Sequence, residues 1–173
     1  MESARRSAPF VIARLTRYPD MAQRDPINPT DDTARMMARD ILDQARFGAL
    51  AVTLPQGAPY VARVAMLWSD GGLLTLVSTL STHTQGLQAN PACAALVGEP
   101  GGKGDPLTHP RMTLLCMAEQ TDKAAHKATW LSAIPKAKLY YDFADFLMFR
   151  LRPTEIHLNG GFGKAFRLTQ GDL

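Results

Sequence analysis

Apolar side chains recur at helical spacing in the first patterned stretch of the chain. On a helix of 3.6 residues per turn they share one face, and they are Ala34, Met37, Ala38, Ile41, Leu42 and Ala45. Thr30 precedes them as the predicted N-cap, and Asp31 and Asp32 carry negative charge that favours the start of a helix. Gly48 follows as the predicted C′ residue. The pattern therefore predicts an amphipathic helix between these signals.

After this helix the pattern changes to short β-prone runs. Turn sequences at 55–59 and 69–72 separate three of these runs, which predicts antiparallel strands joined by hairpins. A helix that opens at Ser81 ends before Asn90-Pro91, because a residue ahead of a proline leaves the α region. The predicted strands are 49–54, 60–68, 73–78, 92–97, 111–119, 146–152, 155–158 and 164–168, and two further predicted helices are 122–131 and 136–141.

This order of elements favours an α+β fold that is mainly β, with a few peripheral helices. Residues 29–173 are assigned to a single domain, because a chain of 173 residues suffices for one full hydrophobic core. Residues 1–28 show no sustained period and are predicted to form a flexible N-terminal leader. Met21 stands just ahead of the patterned part, so Met1 and Met21 are both candidates for the natural start.

Charge and composition exclude several classes of protein. The net charge of +3 resides in residues 1–24, which carry five arginines against two acidic residues, whereas the remainder is neutral. A nucleic-acid interface needs its basic excess on the folded body, so no nucleic-acid partner is expected. No apolar run approaches the ~18 residues that span a bilayer, so no membrane association is expected. Cys93 and Cys116 lie in apolar runs without CxxC spacing, which favours reduced thiols and a cytoplasmic location.

Hydroxyl side chains and one histidine cluster at the predicted junction between a strand and a helix. The cluster runs from Ser78 to Thr84 and includes Thr79, Ser81 and His83. Free amides of a first helical turn, hydroxyl donors and a protonated imidazole together suit an anion such as a phosphate. The alternative is an ordinary helix cap beside a solvated histidine.

Other candidates also have structural alternatives. Arg63 interrupts an otherwise apolar strand, where it either snorkels to solvent or presents its guanidinium to a phosphate. The glycine- and proline-rich segment 98–110 is long enough to suggest a functional loop, but its spacing fails that of a Walker motif. Residues 160–164 favour a glycine turn between strands over a dinucleotide fingerprint. The four histidines lack metal-site spacing, so no metal is expected.

Six short motifs follow one another in an order typical of one protein family. In chain order they are Arg63-Val64-Ala65, residues 78–84, Leu87-Gln88-Ala89-Asn90-Pro91, Gly104-Asp105-Pro106-Leu107 with Arg111, Tyr140-Tyr141-Asp142-Phe143 leading to Phe146, and Gly160-Gly161-Phe162-Gly163-Lys164-Ala165. Over about residues 27–169 the chain resembles the FMN-binding split β-barrels related to pyridoxamine 5′-phosphate oxidase. The Asp-Pro-Leu loop and the Gly-Gly-Phe-Gly ending are most similar to the haem-utilisation branch.

The resemblance implies a fold, an assembly and a cofactor. The fold is a six-stranded Greek-key split β-barrel, and two copies form a homodimer with FMN in clefts at the interface. The implied phosphate-binding residues are Arg63, Ser81, His83 and Thr84, the implied lining of the isoalloxazine is Val64, Ala65, Ser78 and Thr79, and Arg111 would approach the flavin from a neighbouring strand.

The function expected from this resemblance is an FMN-binding oxidoreductase, with hydride transfer through the flavin and an unknown small-molecule substrate. The oxidases carry two fixed cations where this chain has Thr82 and His83, and their C-terminal substrate-binding segment has no counterpart here. Oxidation of pyridoxamine phosphate is therefore not expected. The alternative is a haem-binding or haem-utilisation protein on the same dimeric barrel, with His157 as the candidate iron ligand.

Overall fold

The computed structural model describes residues 26–173, in which nine strands and three α-helices follow one another. The strands are β1 (Ile27–Asn28), β2 (Phe47–Thr53), β3 (Pro59–Ala65), β4 (Leu67–Ser69), β5 (Gly72–Ser78), β6 (Ala92–Val97), β7 (Arg111–Thr121), β8 (Phe146–Asn159) and β9 (Ala165–Leu168). The helices are α1 (Asp32–Gln44), α2 (Thr82–Ala89) and α3 (Lys127–Ala133), with 3₁₀ helices at Pro106–Thr108, Ala124–His126, Pro135–Leu139 and Gln170–Asp172.

The predicted leader lies mostly outside the described residues. The choice between Met1 and Met21 as the natural start also concerns residues outside that range. At the end of the segment assigned to the leader, Ile27 and Asn28 form β1, which pairs in parallel with β9.

The long strand β8 organises the sheet because both of its edges are paired. β7 runs antiparallel to it along one edge, from Met148 to Asn159. The other edge pairs with β5 up to Leu151 and then with β9 from Ile156 onwards. From β7 the sheet continues through β6 and β2 to β3, each pair antiparallel. Because β8 changes partner halfway, the sheet branches at this edge, with β5 and β4 on one branch and β9 and β1 on the other.

The mainly β fold with a few peripheral helices is confirmed, but the expected six-stranded barrel is wrong in two respects. Within residues 26–173 the sheet has nine strands, and no hydrogen-bonded ladder joins β3 to β5, so the sheet is not closed. Short strands of two to four residues, β1, β4 and β9, account for the larger number. β4 is separate because the run predicted at 60–68 breaks at Met66, whose N–H donates to the carbonyl of Arg46.

The strands predicted at 146–152 and 155–158 form the single strand β8. Pro153 has no N–H for a ladder, and a proline inside a sheet needs an irregularity nearby. The register with β7 shifts between Leu115 and Cys116, opposite this proline. Thr154 lies at the shift, and its hydroxyl donates to the carbonyl of Leu115 at 3.1 Å. A β-bulge therefore absorbs the proline without ending the strand.

Two apolar clusters pack against opposite faces of β5. Leu73 and Val77 belong to the core enclosed by the curved sheet and α1. Leu74 and Leu76 alternate with them and belong to a second cluster, which surrounds Trp130 of α3. Burial on both faces explains why β5 is a continuous apolar run rather than an alternating one.

The start of α1 lies one residue later than predicted, and its end differs as well. The carboxylate of Asp31 accepts the N–H of Ala34 and caps the helix, whereas the hydroxyl of Thr30 donates to the carbonyl of Arg167. Gly48 does not end the helix but lies in β2. A Cβ at Gly48 would lie 2.6 Å from the carbonyl oxygen of Leu96, so a close approach of strands selects glycine there.

The two cysteines are free thiols that face each other across β6 and β7. Cys93 and Cys116 are directly paired in the ladder. Burial raises the pKa of Cys93 to about 11, and burial together with the neighbouring Cys93 raises the pKa of Cys116 to about 12. Both side chains are therefore protonated at neutral pH.

We expect Gly48→Ala to lower the free energy of unfolding by about 1–3 kcal/mol, because the added methyl group must displace the backbone of β6. Urea denaturation monitored by circular dichroism measures this change. Gly102→Ala is the matched control, since a Cβ there meets no atom within 4 Å. Equal stability of the two variants would contradict the close approach at Gly48.

Candidate functional site

A cavity of about 270 Å³ opens where β2, β3 and β6 meet the loop at 98–110. It brings together Arg63 from β3 and Arg111 from the start of β7, two residues that the sequence analysis singled out separately. The side chains and backbone around them include Ala49, Leu96, Pro106 and His109. Glu99 also lines the cavity, which therefore combines two permanent positive charges, one acidic residue and several apolar residues.

Arg63 is the more available of the two arginines. It is exposed on the outward face of β3, and its guanidinium lies 5.6 Å from the centre of the Phe47 ring. Among the described residues no protein acceptor takes its N–H groups, so they remain for a ligand. The neighbouring Val64 points into the core, and the carbonyl of Ala65 accepts the hydroxyl of Thr75 at 2.8 Å. Only backbone groups of Val64 and Ala65 are placed to line a ligand.

Arg111 uses one nitrogen to organise the loop. Its Nη1 donates to the carbonyls of Leu107 and His109, at 2.9 and 3.3 Å. The carboxylate of Asp105 accepts the N–H of Leu107 and starts the 3₁₀ turn. The loop is thus folded onto Arg111, which keeps its remaining N–H donors for the cavity.

His109 was not identified from the sequence, although it lines the cavity. Its Nδ1 accepts the N–H of Gly101 at 3.2 Å, and its Nε2 lies 2.9 Å from the carbonyl of Lys103. Because a carbonyl only accepts and an amide N–H only donates, these contacts match the tautomer that carries its proton on Nε2. His109 is therefore a fixed part of the loop, and no spacing rule in the sequence could have indicated it.

The hydroxyl cluster lies at the corner between β5 and α2. Some of its hydroxyls bond within the protein and others are free to bind a ligand. Ser78 donates to the carboxylate of Asp145 at 2.6 Å, and the buried Thr84 donates to the carbonyl of Ser78 at 2.6 Å. The N–H of Thr79 donates to the backbone carbonyl of Asp145. Ser81 is the N-cap of α2, but its side chain caps no amide. Ser78 and Thr84 therefore hold the corner together, whereas Ser81 keeps its hydroxyl for a ligand.

His83 is half-buried in the first turn of α2. Burial lowers its pKa below the ordinary value of an exposed histidine, because a charged ring is poorly solvated there. The lowered pKa favours the neutral imidazole at neutral pH, which has one N–H available to donate to a ligand. The protonated ring considered in the sequence analysis would need a bound anion to stabilise it.

The corner and Arg63 lie on the same flank of the sheet. β3 continues through Met66 into β4, which pairs antiparallel with β5, so β5 runs back alongside β3. The bond between Thr75 and Ala65 fixes their relative position. Ser78 follows Thr75 by three residues, about 10 Å along the strand, in the direction in which Arg63 precedes Ala65. A ligand at the unpaired edge between β3 and β5 would meet both.

His157 lies on β8, two strands beyond β6, and does not line the cavity. The ladder places Arg63, Ala49, Leu96, Thr113 and His157 in one row across five strands. At a spacing of about 4.8 Å per strand, His157 is about 19 Å from Arg63 when measured along the sheet, but it lies only two residues along β8 from Asn159, the ladder partner of Arg111. Oε1 of Glu155 lies 3.1 Å from Nε2 of His157 and 3.2 Å from Nε of Arg167. The structure brings Arg63 and Arg111 together, and it places His157 near Arg111 in the ladder with its ring against Glu155.

The arrangement is that of a mainly β domain with a basic cavity and a hydroxyl-rich corner beside the unpaired edge of its sheet. A family model described as pyridoxamine 5′-phosphate oxidase matches residues 36–160, and the chain belongs to this family. The resemblance inferred from the six motifs is thereby confirmed.

Proteins similar to this chain are named for haem. It is 34% identical over 103 residues to the non-canonical heme oxygenase HOZ, chloroplastic, of Arabidopsis thaliana, a match that covers 57% of this chain and 30% of that protein. It is 24% identical over 133 residues to the heme oxygenase HutZ of Vibrio cholerae, covering 72% and 74% of the two chains. The chain thus spans less than a third of the plant relative.

Solved structures are similar over most of the chain. The heme binding protein from Mycobacterium smegmatis superposes with a TM-score of 0.75 at 29% identity, covering 84% of this chain and 60% of that one. Within residues 26–173 no helix has the length and apolar character needed to cross a membrane. The same residues contain no cluster of three or more His, Cys, Asp or Glu side chains that could hold a metal ion.

We expect His83 to titrate below the pKa of about 6.5 that is usual for an exposed histidine. The unfolded chain then binds a proton at His83 more tightly than the folded protein, so the free energy of unfolding decreases as the pH falls through 6.5. NMR titration of the imidazole measures the pKa directly. His83→Gln should lose less stability than the wild-type protein between about pH 7.5 and pH 5.5. A His83 pKa at or above 6.5 would contradict the desolvation argument.

Proposed function

We propose that this chain is a haem-binding member of its family and that the cavity of Arg63 and Arg111 anchors the haem carboxylates. The observation that carries the proposal is the pairing of two arginines in one mainly apolar cavity. Haem is a flat apolar ring with two carboxylates on one side, and a guanidinium is the side chain best suited to a carboxylate. The names of the similar proteins support the same ligand class.

The size of the cavity fits one end of such a ligand rather than the whole. Pockets that enclose a drug-sized molecule usually measure about 300–1,000 Å³, and this cavity lies just below that range. Its lining includes Leu96, which continues outward onto an exposed apolar surface of the sheet. Carboxylates at the arginines would therefore leave the ring on the sheet surface.

The iron of a bound haem would supply redox chemistry and take an axial ligand from a side chain such as histidine. Both ring nitrogens of His109 are engaged within its loop, and Nε2 of His157 faces Glu155. The proposal therefore assigns the anchor to Arg63 and Arg111 and assigns no axial ligand.

FMN is the second candidate, and it is favoured by the free hydroxyl of Ser81 at the start of α2. Helix N-termini and hydroxyl donors suit a phosphate, and Arg63 lies on the same flank. Arg63, Ser81 and His83 would hold the phosphate, and the backbone around Val64 and Thr79 would line the ring. Bound FMN would supply hydride transfer, which makes the chain an oxidoreductase for an unidentified small-molecule substrate.

We expect haemin to bind stoichiometrically and Arg63→Ala to weaken its binding by roughly ten- to a hundredfold, the usual cost of a charge-assisted contact. Titration followed at the Soret band measures the affinity. Arg39→Ala, which removes an arginine from α1, is the control and should leave haemin binding unchanged.

A parallel titration with FMN distinguishes the two candidates. If FMN is the ligand, both Arg63→Ala and His83→Ala should weaken it, since both residues would contact the phosphate. If haem is the ligand, His83→Ala should leave haemin affinity unchanged. A wild-type protein that binds neither haemin nor FMN at micromolar concentration would overturn both candidates.

We also infer that a second copy of this chain covers the outward face of the sheet. Val61 and Leu96 are 63% and 42% exposed. Leu115 and Met117 are exposed on the same face, since the ladders align alternate residues of β3, β2, β6 and β7. Contiguous exposed apolar side chains on a sheet mark an interaction surface. Because this face borders the cavity, a second copy would also cover the ring of a bound ligand.

We expect Val61→Glu combined with Leu96→Glu to convert a dimer into monomers, because two carboxylates would be buried without partners. Light scattering coupled to size-exclusion chromatography measures the mass. Leu139→Glu, at a position 80% exposed away from this face, is the control and should remain dimeric. A monomeric wild-type protein would refute the dimer.

A further inference from the structure

A larger cavity, which we call the α1 cavity, lies between α1, the start of β2 and the loop at 98–110. Its volume is about 350 Å³, which falls within the range of roughly 300–1,000 Å³ that is usual for small-molecule pockets. It adjoins the cavity of Arg63 and Arg111, because Gly98 and Glu99 line both. The two cavities therefore share one boundary, formed by the start of the loop.

One face of α1 provides much of the apolar lining. Met37, Ile41 and Gln44 follow one another at four- and three-residue spacing, so they share a helix face. Met37 and Ile41 are half-buried at the edge of the core. Pro110 and the ring of Phe47 complete the apolar lining. The α1 cavity thus offers enough apolar surface to hold the carbon body of a small molecule.

Acidic residues set the charge of the α1 cavity. Asp40 on α1 and Glu99 on the loop line it together with one basic residue, Arg46. Nη1 of Arg46 donates to the backbone carbonyls of Asp43 and Ala45, at 2.7 and 2.9 Å, which ties the guanidinium to the end of α1. Within residues 26–173 neither Asp40 nor Glu99 has a side-chain hydrogen bond or ion pair. The α1 cavity is therefore net negative, whereas the adjoining cavity is net positive.

An aromatic ring and a fixed backbone stand at the boundary between the two cavities. The ring of Phe47 lines the α1 cavity and lies against the guanidinium of Arg63 in the adjoining one. The face of an aromatic ring attracts a cation. Gly98 has a φ of +101°, and a Cβ there would lie 2.7 Å from Cα of Arg111. This close approach fixes the backbone immediately before Glu99, so the ring and the carboxylate belong to a rigid rim.

We propose that the α1 cavity binds a small organic ammonium ion with an apolar body. The carbon body would lie against the apolar face of α1, and the ammonium group would donate to Asp40 and Glu99 beside the ring of Phe47. Clefts lined by one sign of charge and by apolar walls concentrate ligands of the opposite charge. Charge would thus direct a cation and an anion into adjoining sites. The inference does not depend on whether haem or FMN is the ligand of the other cavity.

Calorimetric titration of the wild-type protein with phenethylamine tests this proposal, and phenethyl alcohol is the uncharged probe of similar shape. We expect the amine to bind about tenfold more tightly than the alcohol. Its affinity should fall as salt is added, because salt screens exposed charges. Equal affinity for the two probes, or binding of neither at millimolar concentration, would overturn the proposal.

Charge-neutralising variants at exposed positions test the placement of the ammonium group. Asp40→Asn and Glu99→Gln should each weaken the amine about threefold, and together about tenfold, while the alcohol is unaffected. Asp43→Asn is the matched control, because it removes the same charge from an exposed position of the same helix outside the cavity. It should bind the amine as the wild type does. An equal loss in Asp43→Asn would overturn the site.

Phe47→Leu tests the aromatic part of the rim, since leucine keeps the lining apolar but removes the π surface. We expect the amine to bind about threefold more weakly and the alcohol to bind as before. An equal loss for both probes would overturn the contact between the ring and the cation. Phe47 is exposed, and circular dichroism checks that each variant is folded. Failure of the wild-type protein to bind haemin and FMN would overturn the proposed function and leave this inference standing.

Discussion

The pairing of both edges of β8 is the constraint on which the rest of the structure depends. One edge is occupied by β7 along its length, and the other passes from β5 to β9 halfway. Because β5 and β9 pair with different halves of the same edge of β8, the sheet has two branches there. β5 then runs beside β3 without a ladder between them. The bulge opposite Pro153 keeps β8 continuous through the point where its partner changes, so a single irregularity sustains the architecture around the candidate site.

The candidate site lies beside the edge of β3 that pairs with no other strand, where side chains and backbone groups are open to a ligand. β3 is the last strand in the series of paired strands and carries Arg63 on its outward face. β5 ends at the hydroxyl corner, where the hydroxyl of Ser78 donates to the carboxylate of Asp145. Arg111 reaches the same cavity from β7 because the loop at 98–110 folds back onto its guanidinium. Charge and apolar surface thus meet in the cavity from β3, β6 and β7, and the hydroxyl corner lies at the end of β5 beside it.

Much of the fold could be predicted where local signals decide, and less where distant strands meet. The bounds of β6 were predicted to the residue, and Asn90-Pro91 ended α2 as expected. Gly48 was predicted to end α1 but lies in β2, because glycine is favoured both at the C′ position of a helix and where two strands approach closely. The meeting of Arg63 and Arg111 depends on the register of non-consecutive strands, which no local pattern encodes. The internal bonds of Ser78 and Thr84 were likewise invisible, since residue type alone does not distinguish a free hydroxyl from a used one.

The paired thiols of β6 and β7 allow the local separation of these two strands to be measured by chemical labelling. Only a thiolate reacts rapidly with an alkylating reagent, and both cysteines keep their protons at neutral pH while the core is closed. Modification of Cys116 therefore increases with the population of molecules in which β7 has separated from β6, since only there can the thiol ionise readily. Since β7 also carries Arg111 at its start, the kinetics of labelling with and without a bound molecule would relate the mobility of the central ladder to occupancy of the cavity.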